Sequence, residues 1–493
     1  MVLTATVFVP SDRITMVQSR ATGFHDLPYD VVHEIFSLAS NNDPEWAPVV
    51  ISHCCRGWRE DSLNTPLLWN RITFRKSFPM RSEEEFSLKQ KAWITRSKQA
   101  PLHIAIGNPA RYKRYVETPP AFGERSISRI LKLILPECYR WESLSIDDIG
   151  TRAWRTVYDK LRYVDAPLLL SLELFALGEL RQEEFKPFRN GAGASNVRDL
   201  KVGSGVEPSQ WEGHLFQSLT AFTFGQIIMP HEYSDYHPVL PFLSNNPDLE
   251  RLTLTWHIPD YESPPPFPPS TAHISLSKLV EITFIETLVD KKSFGAWPAS
   301  SFLLLSLDAP NLTNIYPPHF DTRALNMLAF APRIPFANIQ HFGVSVVTDN
   351  GDDIDPAELA KVLLQLRSLR SFRLDYGRVP DEKVRDWLSL IISPFCEDYP
   401  LLDTLIFYEQ YSSYAAAHLN TYTEHTFIEH IVEERRLHPL LKSIDTLDIG
   451  SMLISQQQKA WFAENVPQFV HQERDEGECL LSVSRWECLD VLA

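Results

Sequence analysis

Apolar residues recur along this chain in two rhythms, and the change from one to the other divides it. Near the N-terminus the rhythm is helical. Val31, Val32, Ile35, Phe36, Leu38 and Ala39 form one stripe, introduced by a capping Asp26 and an early proline, Pro28. Asn41-Asn42-Asp43-Pro44 breaks it. A second helical stretch carries Val49, Val50, Ile51, Cys54, Cys55, Trp58 and Leu63, with Arg56 and Arg59 on its polar side. Thr65-Pro66 stops that stretch, and Leu67-Leu68-Trp69 opens a short element leading to Ile72 and Phe74. Short helices with such wide apolar faces carry more apolar surface than about 45 residues bury alone, so part of it should pack on a partner or on a downstream domain.

Past residue 80 a further helix is expected from Glu83 through Ile94, then an alternating strand over Pro101–Ile106. From there a new unit repeats: apolar, two others, apolar, one other, apolar. Its central residues are Leu144, Leu172, Leu200, Phe222, Leu252, Ile282, Ile315, Phe342, Phe372, Leu405 and Leu447. The period fits a turn entering a short strand with alternate residues in the core. Segments between units can hold helices. Asp355-Pro356-Ala357-Glu358 has the capping pattern ahead of Leu359, Val362, Leu363 and Leu366, and Asp381–Ile392 reads similarly. The expectation is an α/β chain: a small helical domain, then a right-handed solenoid with a curved parallel sheet. About eleven strands at ~4.8 Å would span roughly 50 Å, enough to grip a folded protein. Contacts would come from side chains between the apolar positions, with Arg251, Thr253, Arg373 and Asp403 as candidates.

The expected boundaries are a leader over 1–22, the helical domain over 23–75, a connecting helix and strand over 76–135, the solenoid over 136–455 and a cap or tail over 456–493. Ser263–Pro269 reads as an extended polyproline-like surface loop, and Asn190–Ser195 as a turn before a strand.

Composition narrows the partners. The chain has 493 residues and a net charge of -16, so phosphate backbones and anionic lipid heads are disfavoured, and neither nucleic acid nor membrane is the expected partner. The six cysteines are scattered without a C-x-x-C spacing, which fits reduced thiols and a cytoplasmic or nuclear setting. No apolar run approaches the ~20 residues of a membrane span, and Pro10 to Arg13 cut the first apolar run too short for a signal peptide.

The N-terminal block carries a resemblance. Leu27-Pro28, Ile35-Phe36, Cys55-Arg56-Gly57-Trp58 and Leu68-Trp69 follow in the order and spacing of an F-box, closest to the variants of large fungal families. The repeats resemble irregular leucine-rich repeats, spaced by roughly 22 to 42 residues against 20 to 29 in the regular kind. The F-box resemblance implies docking on a Skp-type adaptor, and through it on a cullin scaffold. Leu27, Pro28, Ile35, Phe36, Trp58, Leu68 and Trp69 would shape the docking surface or the domain's own small core. The implied role is the substrate-recognition subunit of a ubiquitin ligase, non-catalytic itself, with an unidentified protein as target. The alternative is a repeat scaffold that binds protein without ligase output.

Catalytic motifs do not compete with this reading. There is no Walker loop, no HExxH and no G-x-S-x-G elbow, and Gly191-Ala192-Gly193 is an incomplete nucleotide fingerprint. His425, Glu429, His430, Glu433 and His438 lack ligand spacing and read as a solvated helical face. Asp349, Asp352, Asp353 and Asp355 lack the spacing of a calcium loop. No cofactor is expected.

Overall fold

A computed structural model describes residues 27–42, 46–75, 83–107, 122–147, 149–175, 188, 194–203, 216, 218–228, 239–258, 273–288, 303–304, 306–316, 334–346, 356–376, 401–409, 426–450 and 454–471. The chain divides into two units: residues up to Ile72 with Lys91–Ala100, and Thr73–Gln90 with everything from Pro101 onward. The leader, the polyproline stretch, the 381–392 helix, the aspartates at 349–355, His425 and the last 22 residues lie outside the described residues.

The first unit is helical. It holds α1 (Tyr29–Asn42), α2 (Ala47–Cys54), α3 (Arg56–Asn64), a 3-10 turn (Pro66–Trp69) and the last residues of α4 (Glu83–Arg96). Proline sits at the start of both α2 and the 3-10 turn, where its missing N–H costs nothing. Cys55 separates α2 from α3 in extended conformation, and its Sγ accepts the Trp58 backbone N–H at 3.4 Å, capping α3.

The second unit is a mixed α/β body built on a large parallel sheet. Its strands run β2 (Leu102–Ile106), β3 (Trp141–Ile146), β4 (Ser171–Leu174), β5 (Asp199–Val202), β6 (Ala221–Ile228), β7 (Arg251–Ile258), β9 (Glu281–Leu288) and β11 (Asn314–Tyr316). They continue with β12 (His341–Val346), β13 (Ser371–Tyr376), β14 (Thr404–Glu409), β15 (Thr446–Asp448) and β16 (Gln468–Val470). Together with β1 (Arg71–Phe74) these make fourteen strands in sequence order, and the pairs from β2 to β16 are all parallel. The two end strands do not pair with each other, so no barrel closes. Between strands lie α5 (Glu124–Ile134), α6 (Thr151–Leu161), α7 (Val239–Ser244) and helices Pro356–Leu363, Thr426–Leu437 and Gln456–Asn465. A separate two-stranded ladder pairs β8 (Ile274–Ser275) with β10 (Leu307–Asp308).

The repeat read from the sequence is the register of this sheet. All eleven central residues, from Leu144 to Leu447, stand directly opposite one another in a single row that begins at Ile104 and ends at Phe469. Those from Ile104 to Leu447 are buried. Burying one face this thoroughly specifies register, because a one-residue slip would turn the whole row to the other face. Seven of the strands are entered through a turn that closes on the unit's first apolar residue. Leu169, Val197, Leu249, Leu279, Leu312, Ile339 and Leu369 donate to the carbonyls of Ala166, Ala194, Asn246, Leu276, Ala309, Phe336 and Leu366, three residues earlier. That earlier residue is buried in every case, giving a nine-residue cassette with apolar or buried positions one, four, seven and nine. The sheet extends beyond the expected 136–455 at both ends, since β2 and β16 belong to it. Strand β16 escaped the sequence reading because Pro467 and His471 blur its pattern.

A buried arginine and one glycine fix particular points along the sheet. Arg435, 2% exposed, donates from Nη2 to the Leu402 carbonyl (2.7 Å) and from Nε to the Lys442 carbonyl (3.1 Å), tying helix Thr426–Leu437 to the entries of β14 and β15. Gly107 follows β2 with φ of +112°, and a Cβ there would lie 1.9 Å from the Asp147 carbonyl oxygen. Only glycine lets the backbones approach so closely.

Candidate functional site

The helical unit has a small aromatic core. Phe36 of α1 meets Trp58 of α3 edge to face, with centroids 5.3 Å apart. Trp69 is fully buried, donates from Nε1 to the Ser62 carbonyl at 2.7 Å and packs T-shaped on Trp93 at 5.3 Å. The Arg96 guanidinium lies 4.5 Å from the centre of the Trp69 ring, in cation–π geometry. Polar links fix the helices around these rings. His33 Nε2 and Thr65 Oγ1 are 3.1 Å apart, Thr65 Oγ1 donates to the Asp61 carbonyl (2.8 Å), and Arg59 Nε donates to the Ser52 carbonyl (2.8 Å).

These contacts divide the seven residues singled out from the sequence. Phe36, Leu68 and Trp69 are buried within the chain itself and fall on the core side of the division that the sequence left open. Leu27, Ile35 and Trp58 are half-buried, and Pro28 is exposed. The exposed apolar surface lies mostly on other residues. On α1, Val31 and Leu38 flank Ile35 at positions i, i+4 and i+7, one side of the helix, while Val32 and Phe36 turn to the core. Next to α2, Trp46, Val50 and Cys54 recur every four residues and are all exposed, Trp46 and Val50 at 57% each. Leu67, 61% exposed, stands beside the buried Leu68 on the 3-10 turn. The sequence signal for this outer stripe was the width of the apolar face on α1, where two stripes overlap.

On the sheet, side chains between the apolar rows form a polar face. One row runs His103, Ser143, Ser171, Asp199, Ala221, Arg251, Glu281, Asn314, His341, Ser371, Thr404, Thr446 and Gln468. A second includes Glu173, Lys201, Thr223, Thr253, Thr283, Tyr316, Gly343, Arg373, Ile406 and Asp448. Three of the four candidate recognition residues thus lie on this face, and Asp403 sits at its rim, just before β14. They differ in access. Arg251 is exposed and Thr253 half-buried. Asp403 is half-buried, accepts from Thr404 Oγ1 at 2.8 Å and pairs with Lys442 at 2.6 Å. Arg373 is 8% exposed and is corrected from an accessible contact to a buried one.

Access along this face is uneven: Arg251 and Gln468 are exposed and most others half-buried, while Ala221, Thr283, Ser371, Arg373 and Ile406 are all below a tenth exposed. Around Gly343 a Cβ would touch Tyr316 Cδ1 at 3.4 Å and Arg373 Cβ at 3.6 Å, so both neighbouring side chains close on the glycine. Burial, with Glu281 nearby, pushes the Tyr316 hydroxyl up to about 12. Burial likewise pulls His341 below its usual range, against the attraction of Asp403.

No group of three or more His, Cys, Asp or Glu side chains is placed to hold a metal ion among the described residues. Glu433 of the His430-bearing helix pairs with Arg436 at 2.8 Å. No helix among the described residues is long and apolar enough to cross a membrane. Compared with known proteins, the chain matches no family model and no curated protein.

Proposed function

We propose that this chain is the substrate-recognition subunit of a cullin-type ubiquitin ligase. Its helical unit, an F-box by sequence pattern, docks on a Skp-type adaptor, and its leucine-rich-repeat-like sheet holds a protein target. The observation that carries the reading is the set of exposed apolar side chains on the helical unit that its own core does not use. Phe36, Trp58 and Trp69 provide the core, which leaves Val31, Leu38, Trp46, Val50 and Leu67 exposed as a second apolar set. Apolar surface of that kind is what a desolvated interface uses. The long polar face of the sheet, half-exposed over most of its length and exposed at Arg251, suits a protein target, and proximity to a ubiquitin-loaded enzyme needs no catalytic residue in this chain.

The test is a pull-down of the full chain with a purified Skp-type adaptor, comparing the parent with Val50→Asp and Leu67→Asp. Both sites are exposed, so the fold should survive. Each change should weaken capture by about 2 kcal/mol or more, roughly thirtyfold, if the residue is an interface anchor. Adaptor capture by the parent, lost in folded variants, supports docking. Cullin-dependent ubiquitin transfer then separates a ligase from a scaffold. No capture by the folded parent refutes the reading.

A further inference from the structure

Helices α5 and α6 present a basic outer face on an acidic chain. The two helices start in step. A parallel bridge pairs Phe122 with Ile149, and Gly150 N–H donates to the Phe122 carbonyl at 3.1 Å. Gly123 and Gly150 then stand at equivalent N-cap positions, and the helices pack side by side. Each turns one face to the core. Ile127, Ile130, Leu131 and Ile134 of α5 are buried, as are Ala153, Trp154, Val157 and Leu161 of α6. The other face carries Arg125, Arg129 and Lys132 on α5 and Arg152, Arg155 and Lys160 on α6, all exposed. Against these six cations the two helices expose two carboxylates, Glu124 and Asp159. The whole chain, by contrast, has a net charge of -16.

Local stability does not favour this arrangement. Arg125 and Arg152 hold the same place in the first turn of each helix, where the helix dipole disfavours a cation. Arg125, Lys132, Arg152, Arg155 and Lys160 make no ion pair with any described residue. Among the described residues, the cost of gathering like charge is therefore not offset.

The dimensions select the partner. Arg125 and Lys132 lie seven residues apart, so α5 spreads its cations over ~10 Å at the helical rise of ~1.5 Å per residue. A packed neighbouring helix has its axis ~8–10 Å away. A patch of that size matches about three to six residues of extended chain at ~3.3 Å each. At physiological salt its attraction reaches ~8 Å. A short acidic segment stays within that range. Duplex nucleic acid carries a charge every ~1.7 Å, and a membrane is a continuous anionic plane, so either would also meet the surrounding surface of a chain with excess carboxylates.

We propose that the outer face of α5 and α6 binds a short segment of a partner protein rich in aspartate and glutamate. The surface lies on helices of the second unit and not on the polar face of the sheet, so the proposal depends neither on adaptor docking nor on target binding there.

The test is fluorescence anisotropy of a labelled octaglutamate peptide titrated with the full-length protein at low salt. Arg125→Glu/Arg152→Glu should weaken binding by about tenfold. Glutamate suits the first turn of a helix, so the fold should survive, as circular dichroism would verify. Arg125→Gln/Arg152→Gln, which removes charge without reversing it, should weaken binding by about threefold and carries the comparison if the first variant misfolds. Lys91→Glu/Arg367→Glu makes the same change in net charge at exposed sites on other elements and should alter binding by less than about twofold. Absence of binding by the parent, or an equal loss in the Lys91/Arg367 control, would overturn the proposal. So would patch-dependent binding of a DNA duplex or of phosphatidylserine vesicles tighter than that of the peptide. Self-association of the parent that Arg125→Glu/Arg152→Glu abolishes would make the occupant a second copy and would overturn it as well.

Discussion

Replacing Trp69 separates a core residue from an interface anchor. Its side chain is fully buried, its indole N–H satisfies the Ser62 carbonyl at 2.7 Å, and its ring packs on Trp93 and under Arg96. Removing a buried tryptophan costs about 3–5 kcal/mol through lost transfer energy and the cavity left behind. The edge-to-face pair adds about 0.5–1.5 kcal/mol, and an orphaned carbonyl adds about 1 more. These contributions overlap, so Trp69→Ala should cost the helical unit about 5 kcal/mol, a large share of the ~5–15 kcal/mol that holds a typical domain folded. Trp69→Phe keeps part of the packing and should cost about half as much. Leu67→Ala, two residues away but exposed, should stay within about 0.5 kcal/mol. The assay is hydrogen exchange by mass spectrometry over residues 47–69 of the full-length protein without adaptor. Trp69→Ala should raise exchange throughout that stretch, and Leu67→Ala should leave it unchanged. If Trp69→Ala lost adaptor capture while protection over 47–69 persisted, Trp69 would be an anchor and the core assignment would be wrong.

Two further outcomes test the second unit. Gly107→Ala sets a Cβ against the Asp147 backbone at 1.9 Å and forces a positive φ on a chiral residue, so it should cost at least about 3 kcal/mol, read as a lower urea midpoint by tryptophan fluorescence. An unchanged midpoint would show that the β2–β3 edge tolerates a shift. His341 has a folded pKa below its unfolded 6.5, set by burial, with Arg370 acting in the same direction and Asp403 opposing. At low pH the unfolded chain therefore binds the extra proton, and the contribution of His341 to stability, present above pH 6.5, is lost as pH falls below it. The parent should lose more stability than His341→Gln between pH 7 and pH 5, and equal losses would count against a buried neutral imidazole.

The repeat was legible because a parallel sheet with one buried face imposes a strict linear code. Leu144, Leu172 and Leu200 have the same environment on successive strands, so the same side-chain chemistry recurs at the same place in each unit. The helical block was legible as helices for a similar reason, since the spacing of Val32 and Phe36 follows one face. The division of labour within it was not. Leu67 and Leu68 are identical neighbours, one 61% and the other 5% exposed, and only the position of the 3-10 turn against α1 and α3 separates them.

The same limit applied to polar residues. Arg251 and Arg373 occupy neighbouring rows of one face and look alike in sequence, yet one is exposed and the other covered. Arg435 lies in the helix whose histidines and glutamates read as a solvated face, and its role as a buried tie between two strand entries depends on carbonyls 33 and seven residues away. By itself the sequence determined the periodic features: the helix faces and the apolar row that sets strand register. Tertiary structure decided which of two equivalent side chains is buried, because burial depends on neighbours distant along the chain, and local periodicity carries no information about them.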